Sequence, residues 1–273
     1  MLNWAQRFGT FCFLDNHQYQ FGHHTQECLL AAGIKDRSPE NTSFDGLQNF
    51  LDGKMNTWLF GHLSYDLVTD HERVPAILMD KIGFPGFFFF EPMHLISINE
   101  TQLTIDSTAP AETFEEINKI ALGETFLDNS ENVVIKNKIQ KDEYVAIVNK
   151  LKEHILRGDC YEINFCQEFF ASPVSIDPVR VYNKLSEISP NPFSALYRFE
   201  DKWLICASPE RFLKKQSSNI LSQPIKGTSK RILQSDSDDD KSKMELYHSR
   251  KDRSENVMIV DLVRNDLSKV CKE

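Results

Sequence analysis

The chain has 273 residues, 41% hydrophobic and 26% charged, which suits one large domain or two smaller ones with a substantial core and excludes a disordered chain. A net charge of -9 supplies no general basic field for nucleic acid or anionic membranes, although a locally basic pocket can still take an anionic metabolite. The six cysteines, Cys12, Cys28, Cys160, Cys166, Cys206 and Cys271, include no Cys-x-x-Cys pair, so they read as reduced, mostly buried thiols and not as a zinc or redox motif.

The opening Met1–Arg7 lacks a basic segment followed by an apolar one, so no secretory leader is expected. The longest greasy run, Phe84–Phe90, is interrupted by Pro85 and Gly86, far short of the roughly 20 residues of a membrane helix. Cytoplasm is the expected compartment, with neither membrane nor nucleic acid as partner.

Residues 1–135 read as a strand-rich first domain and 136–273 as a second. Trp58–Leu67 predicts a strand entering a loop, and Phe87–Phe90, His94–Ile98 and Gln102–Ile105 predict sheet strands. Thr113–Leu122 predicts a helix with Phe114, Ile117, Ile120 and Ala121 on one side, and the polar stretch Gly123–Asn132 a linker. From Asp142, the residues Tyr144, Ile147, Val148, Leu151 and Ile155 repeat at helical spacing, with Asp142 placed as a cap and Gly158 as a stop. Beyond it Tyr161, Ile163, Phe165 and Phe169 alternate with Glu162, Asn164, Cys166 and Glu168, as on a strand facing either solvent or a cleft.

Phe193–Phe199 and Trp203–Ala207 predict two strands joined by a turn, with a break at Pro209. Gln216–Asn219 is turn-like, and Ile220–Ile225 resumes strand character. A hairpin about that turn sets Glu210 nearly opposite Lys226, close enough for carboxylate and ammonium to tune each other. The acidic run Ser235–Asp240 predicts a mobile solvated loop without calcium-loop spacing. From Lys243 a long helix is expected, with Met258, Ile259, Leu262 and Val263 as its apolar stripe. Asp261 among them requires a partner such as Arg264 or a backbone cap.

Lys226 is a single cation in the small-residue stretch Gln223-Pro224-Ile225-Lys226-Gly227-Thr228. It reads either as a solvated turn lysine or as a desolvated, nucleophilic amine. Local sequence does not separate the two.

Four segments stand in order: Gly158-Asp159-Cys160-Tyr161-Glu162-Ile163-Asn164, Ala207-Ser208-Pro209-Glu210-Arg211-Phe212, Pro224-Ile225-Lys226-Gly227-Thr228, and Lys251-Asp252-Arg253-Ser254-Glu255-Asn256 continuing to Leu267. Together they resemble the chorismate-utilising enzymes, which include anthranilate synthase, isochorismate synthase and aminodeoxychorismate synthase. Gly61-His62-Leu63-Ser64-Tyr65-Asp66 resembles the family's first domain more weakly.

The resemblance implies an α+β fold of two large packed antiparallel sheets with flanking helices, incomplete at the C-terminus, since family members continue beyond the long helix. It implies Lys226 as nucleophile at C2 of chorismate and Glu210 as general acid for the departing C4 hydroxyl. Gly227 and Thr228 are implied as substrate-binding donors, and Glu255 as a ligand of Mg2+. Lysine in the Pro-Ile-Lys-Gly-Thr motif, where anthranilate synthases usually carry alanine, points to component I of aminodeoxychorismate synthase on the route to 4-aminobenzoate and folate, served with ammonia by a glutaminase subunit, component II. The resemblance leaves Glu162 and Asn164 as possible cleft residues. The chain alone is expected to be inactive. The rival expectations are anthranilate synthase or another chorismate enzyme, and a non-catalytic fragment or interaction subunit.

Overall fold

The structure is a computed structural model; it describes residues 1–20, 27–40, 42–65, 67, 80–120 and 133–272. The expected linker Gly123–Asn132, and Asp66 of the first-domain motif, lie outside the described residues. The backbone gathers into two compact units, Met1–Glu124 with Asp177–Glu210, and Thr125–Ile176 with Arg211–Glu273. This grouping interleaves along the chain, unlike the sequence division at residue 135. Strand pairing is the reason, because a segment beyond residue 190 completes the sheet begun at residue 10.

The first unit is built on a seven-stranded antiparallel sheet. Its strands are β1 (Thr10–Asp15), β2 (Cys28–Arg37), β3 (Phe60–Leu63), β4 (Phe87–Ile98), β5 (Leu103–Asp106), β8 (Phe193–Phe199) and β9 (Lys202–Ser208), while β6 (Lys136–Asn137) and β7 (Phe169–Phe170) belong to the second unit. The order is β3-β4-β2-β1-β8-β9, with β5 also on β4. β1 is central, with Phe13 opposite Leu30 on one side and Leu196 on the other.

Both faces of the sheet are covered. Phe11, Phe13, Leu30, Ala32 and Leu196 join one buried cluster, whereas Cys12, Ala31, Tyr197 and Phe199 join another. Successive side chains thus alternate between two apolar layers, and the strands read as continuous hydrophobic runs.

β4 runs unbroken through the two predicted strands Phe87–Phe90 and His94–Ile98. Between them, opposite Glu91 and Pro92, the register with β2 shifts. Phe88 and Phe90 enter the second cluster and Ile96 the first, as a bulge and local twist allow.

Helices flank this sheet at α1 (Leu2–Ala5), α2 (Phe44–Asp52), α3 (Pro110–Lys119) and α5 (Pro178–Ile188). α3 begins earlier than the predicted Thr113 because Pro110 occupies its first turn, and it buries Thr113 while Phe114 stays exposed. α5 is not among the predicted elements. Asp177 caps it, accepting from the backbone N–H of Val179 at 3.0 Å, and Pro178 opens it, the arrangement expected at a helix start. Its Val179 and Tyr182 enter the core.

The second unit holds α4 (Lys141–Arg157), α6 (Asp236–His248), α7 (Arg250–Ser268) and two small ladders, β6 (Lys136–Asn137) with β7 (Phe169–Phe170) and β10 (Arg211–Gln216) with β11 (Asn219–Gln223). Gly158 ends α4 in the left-handed region, φ 82°, as expected; Asp142 sits in its first turn without capping it.

Three readings are corrected here. Of the strand predicted through Tyr161 to Phe169, only Phe169 lies in one, β7; Tyr161–Glu168 is irregular, its Glu168 carbonyl accepting from Lys138 N–H at 3.0 Å beside that ladder, and Tyr161 is exposed. The acidic run is the first turn of α6: Ser235 caps it, and Asp236, Asp238 and Asp239 lie at the positive end of the helix, where carboxylates are favourable. The long helix expected from Lys243 is two helices broken at Ser249, which takes an extended ψ of 115° and caps α7.

Asp261 does pair with Arg264, at 2.7 Å, but both are exposed. Met258 and Leu262 of the expected stripe are exposed too. Among the described residues no helix is long and apolar enough to cross a membrane.

Candidate functional site

β10 and β11 turn through Ser217, whose φ of 54° is left-handed. At the other end the ladder closes on Arg211↔Gln223, after a register shift between Arg211 and Lys214. Strand pairing therefore does not extend to Glu210 or Lys226, contrary to the cross-strand relation predicted from the hairpin. Pro224, without a backbone N–H, follows Gln223 and suits the end of the ladder.

Beyond it the chain brings Lys226 to the α6–α7 corner. Pro224, Ile225, Lys226, Leu246, Tyr247, Asp252, Arg253 and Asn256 line an open surface cavity of about 440 Å³. Lys226 is half-buried, and its Nζ donates to Glu162 Oε1 at 2.8 Å. Pro224, Ile225 and Leu246 supply apolar lining, and Lys226, Asp252 and Arg253 its charged groups, the mixed lining usual for a small-molecule site.

Gly227 is required twice over. Its φ of 76° is left-handed, and a Cβ there would stand 2.7 Å from Asp252 Cβ and 2.9 Å from Asp252 Oδ1. Asp252 belongs to the first turn of α7, its backbone N–H capped by Ser249 Oγ at 3.3 Å. The backbone after Lys226 can lie this close to α7 only without a side chain.

The sequence-predicted residues are distributed as follows. Lys226 lines the cavity, Gly227 packs on its α7 wall, and Thr228 is exposed beside them. Glu255 lies on α7 next to the lining residue Asn256, with Lys251 Nζ at 3.9 Å. Glu210 is the last residue of the first unit. There it closes a tight turn: Ser208 Oγ donates to its carbonyl at 3.1 Å and accepts from its N–H at 3.3 Å.

Sequence reasoning missed Tyr247, Asp252, Arg253 and Asn256 as lining. Their signal was present in the close-approach glycine after Lys226 and in the capped Ser249–Asp252 start of α7. It also left Glu162 without its partner.

Among the described residues no three His, Cys, Asp or Glu side chains cluster as a metal site. Glu255, partly exposed on α7, fits a single carboxylate ligand of Mg2+, a cation that commonly takes one or two carboxylates and fills its sphere with water and substrate oxygens.

Residues 5–273 match the model of the chorismate binding enzyme family. The chain belongs to that family. It is 32% identical over 216 residues to anthranilate synthase component 1 of Saccharolobus solfataricus, covering 78% of this chain and 48% of that protein. It is 30% identical over 254 residues to aminodeoxychorismate synthase component 1 of Escherichia coli, covering 90% and 52%. The solved structure of anthranilate synthase component I from Streptococcus pneumoniae superposes with a TM-score of 0.74 at 20% identity, covering 92% of this chain and 65% of that one. The α+β fold of this chain is therefore similar to the corresponding part of that structure. The chain spans about half the length of these curated relatives.

Proposed function

We propose that the chain is the part of an aminodeoxychorismate synthase component 1 that carries the nucleophile, acting in the whole protein on chorismate and ammonia to give 4-amino-4-deoxychorismate for 4-aminobenzoate and folate synthesis. The observation that carries this reading is Lys226 itself, a lysine that lines the open cavity at the α6–α7 corner and is followed by a glycine that lets the backbone approach α7. A relative with this name is 30% identical over 90% of the chain.

In this reading Lys226 Nζ attacks C2 of the ring while the C4 hydroxyl leaves. The Glu210 carboxyl donates the proton that turns this hydroxyl into water, a step that needs a protonated acid in a dry site. Ammonia, delivered by a glutaminase subunit, then adds at C4 and frees the lysine. Gly227 N–H and the Thr228 hydroxyl act as donors to substrate oxygens. Glu255 would hold Mg2+, which when bound would supply charge neutralisation for a substrate carboxylate. The reaction is placed in the cytoplasm.

Product analysis of the full-length protein with chorismate, Mg2+ and ammonia tests the reading. Aminodeoxychorismate from the wild type, with formation reduced at least about a hundredfold in Lys226→Ala, is expected for loss of a nucleophile. Unchanged aminodeoxychorismate formation by Lys226→Ala removes the lysine from the mechanism. Anthranilate as the wild-type product assigns the chain to the other branch, represented by its 32% identical relative.

A further inference from the structure

A lysine nucleophile must lose a proton before it can attack, and the proposed reaction does not say where that proton goes. Lys226 Nζ and Glu162 Oε1 are 2.8 Å apart, with both side chains about two-thirds shielded from solvent. Glu162 is carried there by irregular backbone between α4 and β7, not by the rigid strand its alternating neighbours predict. We propose that Glu162 is the proton acceptor for Lys226: it pairs with the resting ammonium and takes its proton as the amine attacks. The proposal rests on the reading of Lys226 as nucleophile.

The exchange balances. One proton passes from Nζ to the Glu162 carboxylate, and the freed lone pair forms the Nζ–C2 bond. The ring double bonds shift toward C4, and the C4–O bond breaks with its electron pair on oxygen, which takes a proton from Glu210 and leaves as water. When ammonia adds at C4 the electrons move back, the C2–Nζ bond breaks, and the carboxyl of Glu162 is positioned to return the proton. The 2.8 Å separation is within direct proton-transfer reach.

Geometry gives Glu162 two opposite effects on the same amine, and this makes the role testable. In the resting protein a carboxylate beside an ammonium favours the charged, unreactive form. During attack on the bound ring, the same carboxylate removes the obstacle. A residue that merely supports the fold affects both in the same direction.

The experiment compares wild type, Glu162→Gln and, as a carboxylate-removal control, Glu168→Gln, whose side chain pairs with Lys138 at 3.1 Å. Acylation of Lys226 by an amine-specific reagent at neutral pH is followed by peptide mass spectrometry in the full-length protein. The chorismate-dependent adduct at Lys226 is followed in the same protein without ammonia.

Glu162→Gln is expected to speed acylation about two- to fivefold, the range for a partly exposed ion pair. The same substitution is expected to slow adduct formation at least about a hundredfold, as for loss of a general base. Glu168→Gln is expected to change neither. Unchanged rates in Glu162→Gln, or rates that both rise or both fall, overturn the assignment of Glu162 while leaving Lys226 as nucleophile. Absence of any adduct at Lys226 in the wild-type full-length protein overturns the nucleophile reading, and the proposal with it.

Discussion

Gly227 and Gly158 form a natural pair for testing how the backbone after Lys226 is held. Both are left-handed, at φ 76° and 82°, but a Cβ at Gly158 meets nothing within 4 Å, whereas one at Gly227 meets Asp252 Cβ at 2.7 Å. Alanine in the left-handed region costs about 1–2 kcal/mol. Part of that is offset by the reduced freedom of the unfolded chain, about 0.4–1 kcal/mol. Gly158→Ala should therefore lose about 1 kcal/mol.

Gly227→Ala carries the same backbone term together with overpacking against α7, about 1–3 kcal/mol, for a total of about 2–4 kcal/mol. Asp252 Cβ is the base of its side chain and cannot swing aside, so relief requires the backbone of Pro224–Thr228 or of α7 to move. Urea unfolding followed by circular dichroism measures both variants, and acylation of Lys226 reports whether the cavity wall has shifted. Equal losses in the two variants, with unchanged Lys226 reactivity, would refute the claim that Gly227 is needed for close approach to Asp252.

Two further outcomes concern the first unit. Leu30, fully buried between β1 and β4, should cost about 2–5 kcal/mol when changed to alanine, read as a lower urea midpoint; a loss below about 1 kcal/mol contradicts its place in the core. His62 donates from Nε2 to the Pro85 carbonyl at 3.0 Å, which leaves Nδ1 to accept from the Tyr197 hydroxyl at 3.1 Å. Burial, opposed by the Pro85 hydrogen bond, holds its imidazole below the usual range. The unfolded chain then binds the proton first, so stability is full above the unfolded value of about 6.5 and falls as the pH drops through it toward the lower folded value. His94, also lowered chiefly by burial, adds in the same direction. Urea midpoints measured from neutral to mildly acidic pH should decline less steeply in His62→Gln, and identical slopes would refute the assignment.

Much of this molecule is legible at short range. The apolar runs at Phe87–Ile98 and Phe193–Phe199 are strands because aromatic and branched side chains fill a sheet covered on both faces. Gly158 ends its helix because glycine tolerates the left-handed cap. Errors arise where local pattern competes with capping or with the availability of a partner. Tyr161–Gln167 alternates like a strand yet is irregular backbone that joins no sheet. Ser235–Asp240 looks like a solvated loop, although a serine cap followed by acids is also how a helix begins.

The candidate site divides along the same line. The ordered motifs, the lone lysine and the glycine after it are properties of the sequence, and they suffice to identify the family. The contact of Lys226 with Glu162, 64 positions away, and the approach of Gly227 to Asp252 come only from the tertiary structure. No periodicity encodes such pairs, because backbone turns and helix packing set the distance between them. The sequence determines which groups are available for chemistry; the folded backbone determines which carboxylate lies within proton-transfer distance of the amine.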